Sequence, residues 1–195
     1  GLATDVIAAL TTSQLSAIDA DASALSTSQL AALDSTNVAG LATAALAAMN
    51  SSQVAALNLT ASAMGTAQLA ALSSTNVLGL TSNAISLLSE AQVTALGADA
   101  SALSTAQMAA LTTANVSGLT TISVAAMTSA QIGALDTDAL LMGTGQLAAL
   151  GTLNIKGLTD AAVAALRSDQ VNALGDDAKG LTTAQLAALT TANAG

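Results

Sequence analysis

The chain has 195 residues, a net charge of −9, and no Phe, Trp, Tyr, Pro, Cys or His. A core limited to Ala, Leu, Val, Ile and Met predicts thin, regular layers, because a conventional globular core also uses aromatic shapes. The only basic residues are Lys156, Arg167 and Lys179. Because neutralising phosphates requires clustered Lys and Arg, we expect neither a nucleic-acid partner nor binding to an anionic membrane surface.

The high proportion of apolar residues raises the question of a membrane-spanning segment. The longest apolar runs, 44–49 and 161–166, are six residues long. A spanning helix needs about 20 apolar residues, so we expect no membrane insertion.

The chain begins at Gly1 without a basic, apolar signal segment, which suggests a processed product or a piece of something longer. The lack of Cys permits an oxidising compartment without requiring one.

An internal repeat covers the whole sequence. The interval between successive Gln alternates between 15 and 24 in the numbering, while Asn and a Gly-Leu pair each recur with a 39-residue period. The positions are Gln14, Gln29, Gln53, Gln68, Gln92, Gln107, Gln131, Gln146, Gln170 and Gln185; Asn37, Asn76, Asn115, Asn154 and Asn193; and Gly1, Gly40, Gly79, Gly118 and Gly157. This predicts a single repeat array over 1–195, with copies at 1–39, 40–78, 79–117, 118–156 and 157–195.

Each copy divides into five segments, four of eight residues and one of seven, and each segment in the second copy ends in Leu or Met. In chain order that copy contains segment I (ATAALAAM from Ala42), segment II (NSSQVAAL from Asn50), segment III (NLTASAM from Asn58), segment IV (GTAQLAAL from Gly65) and segment V (SSTNVLGL from Ser73). We keep these five names for the equivalent segments of the other copies.

The segments begin with a helix-start signal. Ser or Thr followed three residues later by Gln is a capping box, in which the two side chains satisfy free backbone N–H groups. Leu103, Ser104, Gln107 and Met108 show the box together with its hydrophobic staple. Asn50, Gly65, Gly143 and Arg167 replace Ser or Thr at the cap position, which weakens single boxes without changing the period.

The period also argues against one long helix, since the apolar stripe would rotate by roughly 60° per segment. We therefore predict an all-α solenoid of short, two-turn helices, five in each 39-residue copy, that are stable only when stacked. One copy per coil and about 10 Å per layer would give a length on the order of 50 Å. A β-solenoid is the alternative, which the many Thr residues support, although the apolar spacings of three and five favour helices.

The composition provides little for catalysis. Without His or Cys, the common base-assisted nucleophiles are excluded, and only a Ser-Lys pair at Lys156 or Lys179 stays formally open. Capping accounts for the abundant Ser and Thr. We predict that the protein is not an enzyme and has no catalytic, cofactor-binding or metal-binding residues.

Segment III raises one metal hypothesis. If successive copies stack with their equivalent residues aligned, Asp21, Asp99, Asp138 and Asp177 would line one edge, interrupted by Thr60 in the second copy. Oxygen ligands in a loop suit Ca²⁺. The alternative, which we favour, is that each Asp caps the next short helix, where a carboxylate also suits the helix dipole.

Two further recurring features have structural interpretations. The Gly residues at 40, 79, 118 and 157 occupy positions where the other segments mostly carry Ala, which predicts close backbone approach or a left-handed helix end. The recurring Gln and Asn side chains are expected to cap helices. A second hypothesis is that they also bond to each other or to neighbouring backbone and so fix the alignment of the stacked copies.

The phrases STAQMAALTTANV from Ser104, TSAQIGAL from Thr128 and TTAQLAALTTAN from Thr182 resemble the Thr-Ala-Gln-Val-x-Ala-Leu repeats of large secreted bacterial adhesins. Such proteins are often labelled haem-utilisation or adhesion proteins. The resemblance extends over the whole chain and implies an extracellular stalk, fibre or matrix component. It implies no haem role here, because His, Cys and Tyr are absent.

These observations favour a structural function. Val6, Ile7 and Leu10 in the first copy, and Leu186 and Leu189 in the last, make the end copies look like interior ones. We expect the chain to associate with itself, as a homopolymer or within a longer array, in an extracellular filament, sheath or adhesin stalk, and to be located outside the cell or at the cell surface. The alternatives are an ice-binding protein, which would need one flat face of aligned Thr, and a ligand-binding or Ca²⁺-binding repeat module.

Overall fold

The computed structural model describes residues 2–189 and Asn193. Gly1, the first of the expected Gly-Leu series, lies outside the described residues. All the regular structure in the described part of the chain is helical, and that part contains no strand. The all-α prediction is therefore confirmed, and the β-solenoid alternative is wrong.

Fifteen of the described elements are α-helices of four to seven residues: α1 (Thr4–Ala8), α2 (Thr12–Ser16), α3 (Thr27–Leu30), α4 (Thr43–Ala48), α5 (Ser51–Leu57), α6 (Thr66–Leu69), α7 (Ser82–Leu87), α8 (Glu90–Ala95), α9 (Thr105–Met108), α10 (Thr121–Ala126), α11 (Ser129–Ala134), α12 (Thr144–Leu147), α13 (Asp160–Ala165), α14 (Ser168–Ala173) and α15 (Thr183–Ala188). They form in segments I, II and IV. Most are shorter than the two turns expected.

Nine described elements are 3₁₀ helices: η1 (Asp19–Ala24), η2 (Val38–Gly40), η3 (Asn58–Ala63), η4 (Val77–Gly79), η5 (Gly97–Ala102), η6 (Val116–Gly118), η7 (Asp136–Leu141), η8 (Ile155–Gly157) and η9 (Gly175–Gly180). They form in segments III and V. Each complete copy thus has the expected five helical elements, but two of the five are 3₁₀ helices and not α-helices.

Segment III begins with a residue of positive φ in every copy. These residues are Asp19 (50°), Asn58 (37°), Gly97 (58°), Asp136 (46°) and Gly175 (52°). Gly tolerates this backbone conformation without strain, and Asn and Asp adopt it more readily than other residues. The position therefore ends the α-helix of segment II and starts the 3₁₀ helix in the segment that is one residue short.

Each element packs against the elements three places before and after it in the chain. Apart from sequence neighbours, the elements that pack closely together are three places apart in chain order. This divides them into three rows of eight. Row A contains α1, α3, α5, η4, η5, α10, α12 and α14; row B contains α2, η2, η3, α7, α9, α11, η8 and η9; row C contains η1, α4, α6, α8, η6, η7, α13 and α15.

Three consecutive elements, one from each row, make up what we call a turn. Stacked elements are offset by about 24 residues, as shown by the bond from the Ser82 hydroxyl to the carbonyl of Ala106, 24 residues away. The 39-residue sequence copy therefore does not correspond to one coil, and that expectation is wrong. Five segments fill one and two-thirds turns, so equivalent segments of successive copies lie in different rows.

The packing of elements three places apart also determines which segments contact each other. Counting back three segments, IV packs on I, V on II, I on III, II on IV and III on V, and the same five pairings recur along the described chain. The core runs between the three rows. It consists mainly of the Leu or Met that ends each segment and the aliphatic residue three positions before it, as in Val93, Leu96, Leu103 and Met108, all at most 3% exposed.

Candidate functional site

The recurring amides make two kinds of contact at once, and Gln131 in α11 shows both. The side-chain Oε1 of Gln131 accepts a hydrogen bond from the backbone N–H of Thr128 at 2.8 Å, and the backbone N–H of Gln131 donates to the Thr128 hydroxyl at 3.2 Å. Its Nε2 donates to the carbonyls of Ser101 and Leu103 at 2.7 and 2.6 Å, in the chain that precedes α9. Since α9 is the element beneath α11 in row B, this side chain connects two turns.

The same bridge recurs along the chain. Each bridging Gln Nε2 donates to one or more carbonyls 27 to 30 residues earlier. The donors are Gln29, Gln53, Gln68, Gln92, Gln107, Gln131, Gln146, Gln170 and Gln185. Among the shortest contacts are those of Gln146 with Leu119 and of Gln185 with Leu158.

The Asn residues of segment V use the same geometry with a shorter side chain. Asn76 Oδ1 accepts from the N–H of Ser73 at 2.8 Å, and Nδ2 donates to the carbonyls of Leu46 and Met49 at 2.9 and 3.0 Å. Asn37, Asn115, Asn154 and Asn193 make equivalent bridges to the preceding turn. Most of the bridging amides are buried, and no buried side-chain N or O atom in the described residues lacks a partner.

These contacts decide between the two hypotheses for the amides. Capping alone is incomplete, because the Nε2 or Nδ2 atom bonds to backbone of the turn beneath. Capping by Oε1 leaves the amide N–H groups without a partner, and burial requires them to find one. The acceptors are carbonyls at the corners, which are the places where one element of the turn beneath ends and the next begins.

Gln14 in α2 makes the capping contacts without the bridge. Its Oε1 accepts from the N–H of Thr11 at 2.9 Å, and its N–H donates to the Thr11 hydroxyl at 3.2 Å. Because α2 lies in the first described turn, the described residues place no carbonyl beneath its Nε2. Gln14 and Gln131 occupy equivalent positions after Thr, so they form a matched pair that separates capping from bridging.

The Gln side chain still accepts a hydrogen bond from the start of the helix where the sequence lacks Ser or Thr at the cap position. Asn50 forms a complete box with Gln53. At Gly65, Gly143 and Arg167 the backbone N–H still donates to the Gln three residues later, at 2.8, 2.6 and 3.0 Å. The Gln half of the box therefore persists at all three positions.

The recurring Gly residues of segment V lie against the backbone of the turn below. A Cβ at Gly40, Gly79, Gly118 or Gly157 would overlap a backbone carbonyl oxygen of that turn, which for Gly118 is the oxygen of Glu90. None of these four has a positive φ. Of the two explanations offered by the sequence, close backbone approach is confirmed and the left-handed helix end is wrong.

The Asp residues of segment III do not form the edge that a Ca²⁺ site would need. Asp99 lies in row A, Asp177 in row B, and Asp21 and Asp138 in row C with four stacked elements between theirs. The rotation of each segment among the rows separates them, and Thr60 lies in row B. Within residues 2–189, no three acidic side chains are grouped so that they could hold a metal ion.

The favoured capping role of these Asp residues is also wrong. Asp21, Asp99, Asp138 and Asp177 lie within the first turn of a 3₁₀ helix, and none of η1, η5, η7 or η9 has a side-chain cap. The next α-helix has its own N-cap residue, which is Ser, Thr or Gly, as at Ser26 for α3.

Two exposed carboxylates have altered proton affinity. The Thr36 hydroxyl and N–H donate to Asp34, at 2.6 and 2.8 Å, and these hydrogen bonds lower the pKa of its carboxyl. The Arg167 guanidinium donates to Asp169 at 3.1 Å and lowers the pKa of that carboxyl. Both groups are at the surface, so solvent screening keeps their contribution to stability small.

Lys156 and Lys179 lie in η8 and η9, which are stacked in row B. The part of the chain that the structure describes encloses no pocket around them or elsewhere. None of its helices is long and apolar enough to cross a membrane.

Residues 142–176 match the family model of the ALTTAQ repeat. The chain is a repeat-containing protein. The matched stretch spans four whole segments, from the start of segment IV at Gly143 to the end of segment II at Leu174. Neither the curated proteins nor the solved structures include a match to the chain.

Proposed function

We propose that the protein is a structural solenoid that serves as a segment of an extracellular filament, sheath or adhesin stalk. The observation that carries the proposal is the continuity of rows A, B and C through all the described turns. The pairings between successive turns are all drawn from the same five, so the array can be extended without a new kind of contact.

The use of the polar groups supports the same function. The bridging amides and the corner carbonyls face each other between turns and bond the turns to one another. A ligand-binding repeat protein instead keeps a concave surface with variable side chains for its partner. The resemblance to secreted adhesin repeats supports placement outside the cell and association with further copies of the same repeat.

Small-angle X-ray scattering of the purified protein tests the rod shape. With eight stacked layers in each row and about 8 to 10 Å between helix axes, the length is on the order of 70 Å. A rod of that length has a radius of gyration of about 21 Å, whereas a compact domain of the same chain length has about 16 Å. A value near that of the compact domain would contradict the proposal.

A duplicated chain provides a second check. Joining two copies of the 195-residue sequence in one polypeptide preserves the 39-residue period across the junction. We expect the maximum dimension to double while the cross-sectional radius stays constant. A length that fails to double would show that the stacking does not continue.

No observation favours the ice-binding alternative. That function requires aligned Thr on one flat face, but each segment class rotates through all three rows, so the surface of any row mixes Thr, Ala, Ser, Gly and Asp. Measuring freezing hysteresis on the purified protein would test this directly, and we expect none.

A further inference from the structure

We propose that the rod is an extensible element that yields to axial tension sequentially, releasing no unit larger than one turn of three consecutive elements. This inference rests on the proposed structural function, because a stalk or filament carries tension along its axis.

The packing supplies the first argument. Every closely packed pair of described elements is either adjacent in sequence or three places apart, so no such pair reaches beyond the neighbouring turn. The stability of a turn therefore comes from the turns directly above and below it. Removing a turn from one end leaves the contacts among the remaining turns unchanged.

The amides supply the second argument. Segments II, IV and V carry a bridging amide four positions before their final Leu or Met, whereas segments I and III carry no Gln or Asn there, as at Ala84 and Asp99. Any three consecutive segments include at least one of the bridging kind. Each turn beyond the first is thus held to its predecessor by one or more amide bridges of similar geometry.

The direction of loading supplies the third argument. The chain enters and leaves each turn at its corners, and the bridges lie at those corners, where Gln92 meets the carbonyls of Ser62 and Met64. Pulling the chain ends apart loads the bridges one after another as the chain peels from its neighbour. Bonds loaded in sequence fail singly, whereas bonds loaded together fail as a group.

Optical-tweezers extension of the 195-residue protein, held at its two ends, tests the proposal. At about 3.6 Å per extended residue, release of one turn adds about 85 Å of contour length, release of one 39-residue copy about 140 Å, and release of the whole chain about 700 Å. We expect either a series of contour-length increments of about 85 Å or less or a continuous force plateau. Increments of the size calculated for a whole copy, or one release of the entire chain, would overturn the proposal.

A paired variant tests the role of the bridge. Gln131→Glu retains the capping oxygen and loses the amide donor, whereas Gln14→Glu makes the same change where the described residues hold no bridge. We expect Gln131→Glu to lower the force of the release that includes α11 and to leave the other steps as they are. A lower force at every step would show that the turns do not yield independently of one another and would contradict the proposal.

This outcome is separable from that of the proposed function. Scattering that shows a rod, together with release of the whole chain at once, would leave the structural function standing and reject sequential yielding. A circular dichroism spectrum of Gln131→Glu checks that the variant is folded, and the increments of the unchanged protein test the proposal by themselves.

Discussion

A single side chain, such as that of Gln131, both starts a helix and attaches it to the turn below. The two roles use different atoms, because Oε1 accepts from the backbone of Thr128 while Nε2 donates to Ser101 and Leu103. This explains why Gln, and not the Glu that also completes a capping box, occupies the position. A carboxylate would face two carbonyl oxygens.

The Glu substitution gives a prediction at this scale. At neutral pH, we expect Gln131→Glu to lower the free energy of unfolding by about 2 to 4 kcal/mol, because it buries a charge beside acceptors. Gln14→Glu should change it by less than about 0.5 kcal/mol. Chemical denaturation monitored by circular dichroism measures both. Acid should relieve the cost at Gln131, since a protonated carboxyl can donate; a cost that is independent of pH would contradict this explanation.

Gly118 provides a second prediction. A Cβ there would overlap the carbonyl of Glu90, whereas a Cβ at Gly151 would meet nothing within 4 Å. We expect Gly118→Ala to destabilise the protein by about 2 to 4 kcal/mol through displacement of the turn below, with Gly151→Ala neutral or slightly stabilising. Thermal melting of the two variants compares them. Equal melting temperatures would mean that the turns are not in contact at Gly118.

The elements themselves are too short to be stable in isolation. A helix of four to seven residues makes few internal hydrogen bonds, so the capping boxes and the rows hold it in place. The positive φ at the start of segment III is equally important, because it accommodates a segment of seven residues among segments of eight. Positive φ there explains the choice of Asp, Asn or Gly better than metal binding or capping does.

A substitution at Gly175 tests that explanation. Gly175 and Gly151 both have open space around the Cβ position, but only Gly175 has a positive φ. We expect Gly175→Ala to cost about 1 to 2 kcal/mol from backbone strain alone, in contrast to Gly151→Ala. Urea denaturation provides the comparison. If the two variants have the same stability, the left-handed conformation is not required.

At the scale of the whole molecule, two periods coexist, five segments in the sequence and three elements in the turn. They are compatible because the partner of each segment is set by counting back three, whatever row it occupies. Close approach at Gly118, for example, needs segment II beneath segment V, since α8 lies below η6 in row C. The 39-residue copy is therefore the unit that preserves every pairing.

Two deletions distinguish the periods. Removing 79–117, one whole copy, keeps all five pairings, and we expect a folded protein with a proportionally smaller helical signal. Removing 81–103, one turn, keeps the rows but places segment IV on III, segment V on IV and segment I on V near the junction. We expect this variant to lose at least about 3 kcal/mol, comparable to several core defects. Similar stability of the two variants would show that pairing by segment class has no energetic consequence.

The charges predict a weak response to pH. Hydrogen bonding lowers the pKa of Asp34 and Asp169 in the folded protein, so their small contributions are present above the unfolded pKa and are lost as the pH falls through the folded one. No His titrates near neutrality. We expect a constant melting temperature between about pH 6 and 8 and a decline only below about pH 4, smaller in Asp34→Asn. A transition near neutrality would contradict this.

The sequence by itself determined the 39-residue repeat, the helical class and the helix starts of segments II and IV. These depend on local chemistry, because a capping box satisfies backbone groups within four residues of chain. The tertiary structure decided that three elements make a turn, that the amides bridge to carbonyls 27 to 30 residues away, and that the Asp residues of segment III lie in different rows. Those features depend on how far the chain turns at each corner, and the spacing of residues along the chain does not specify that angle.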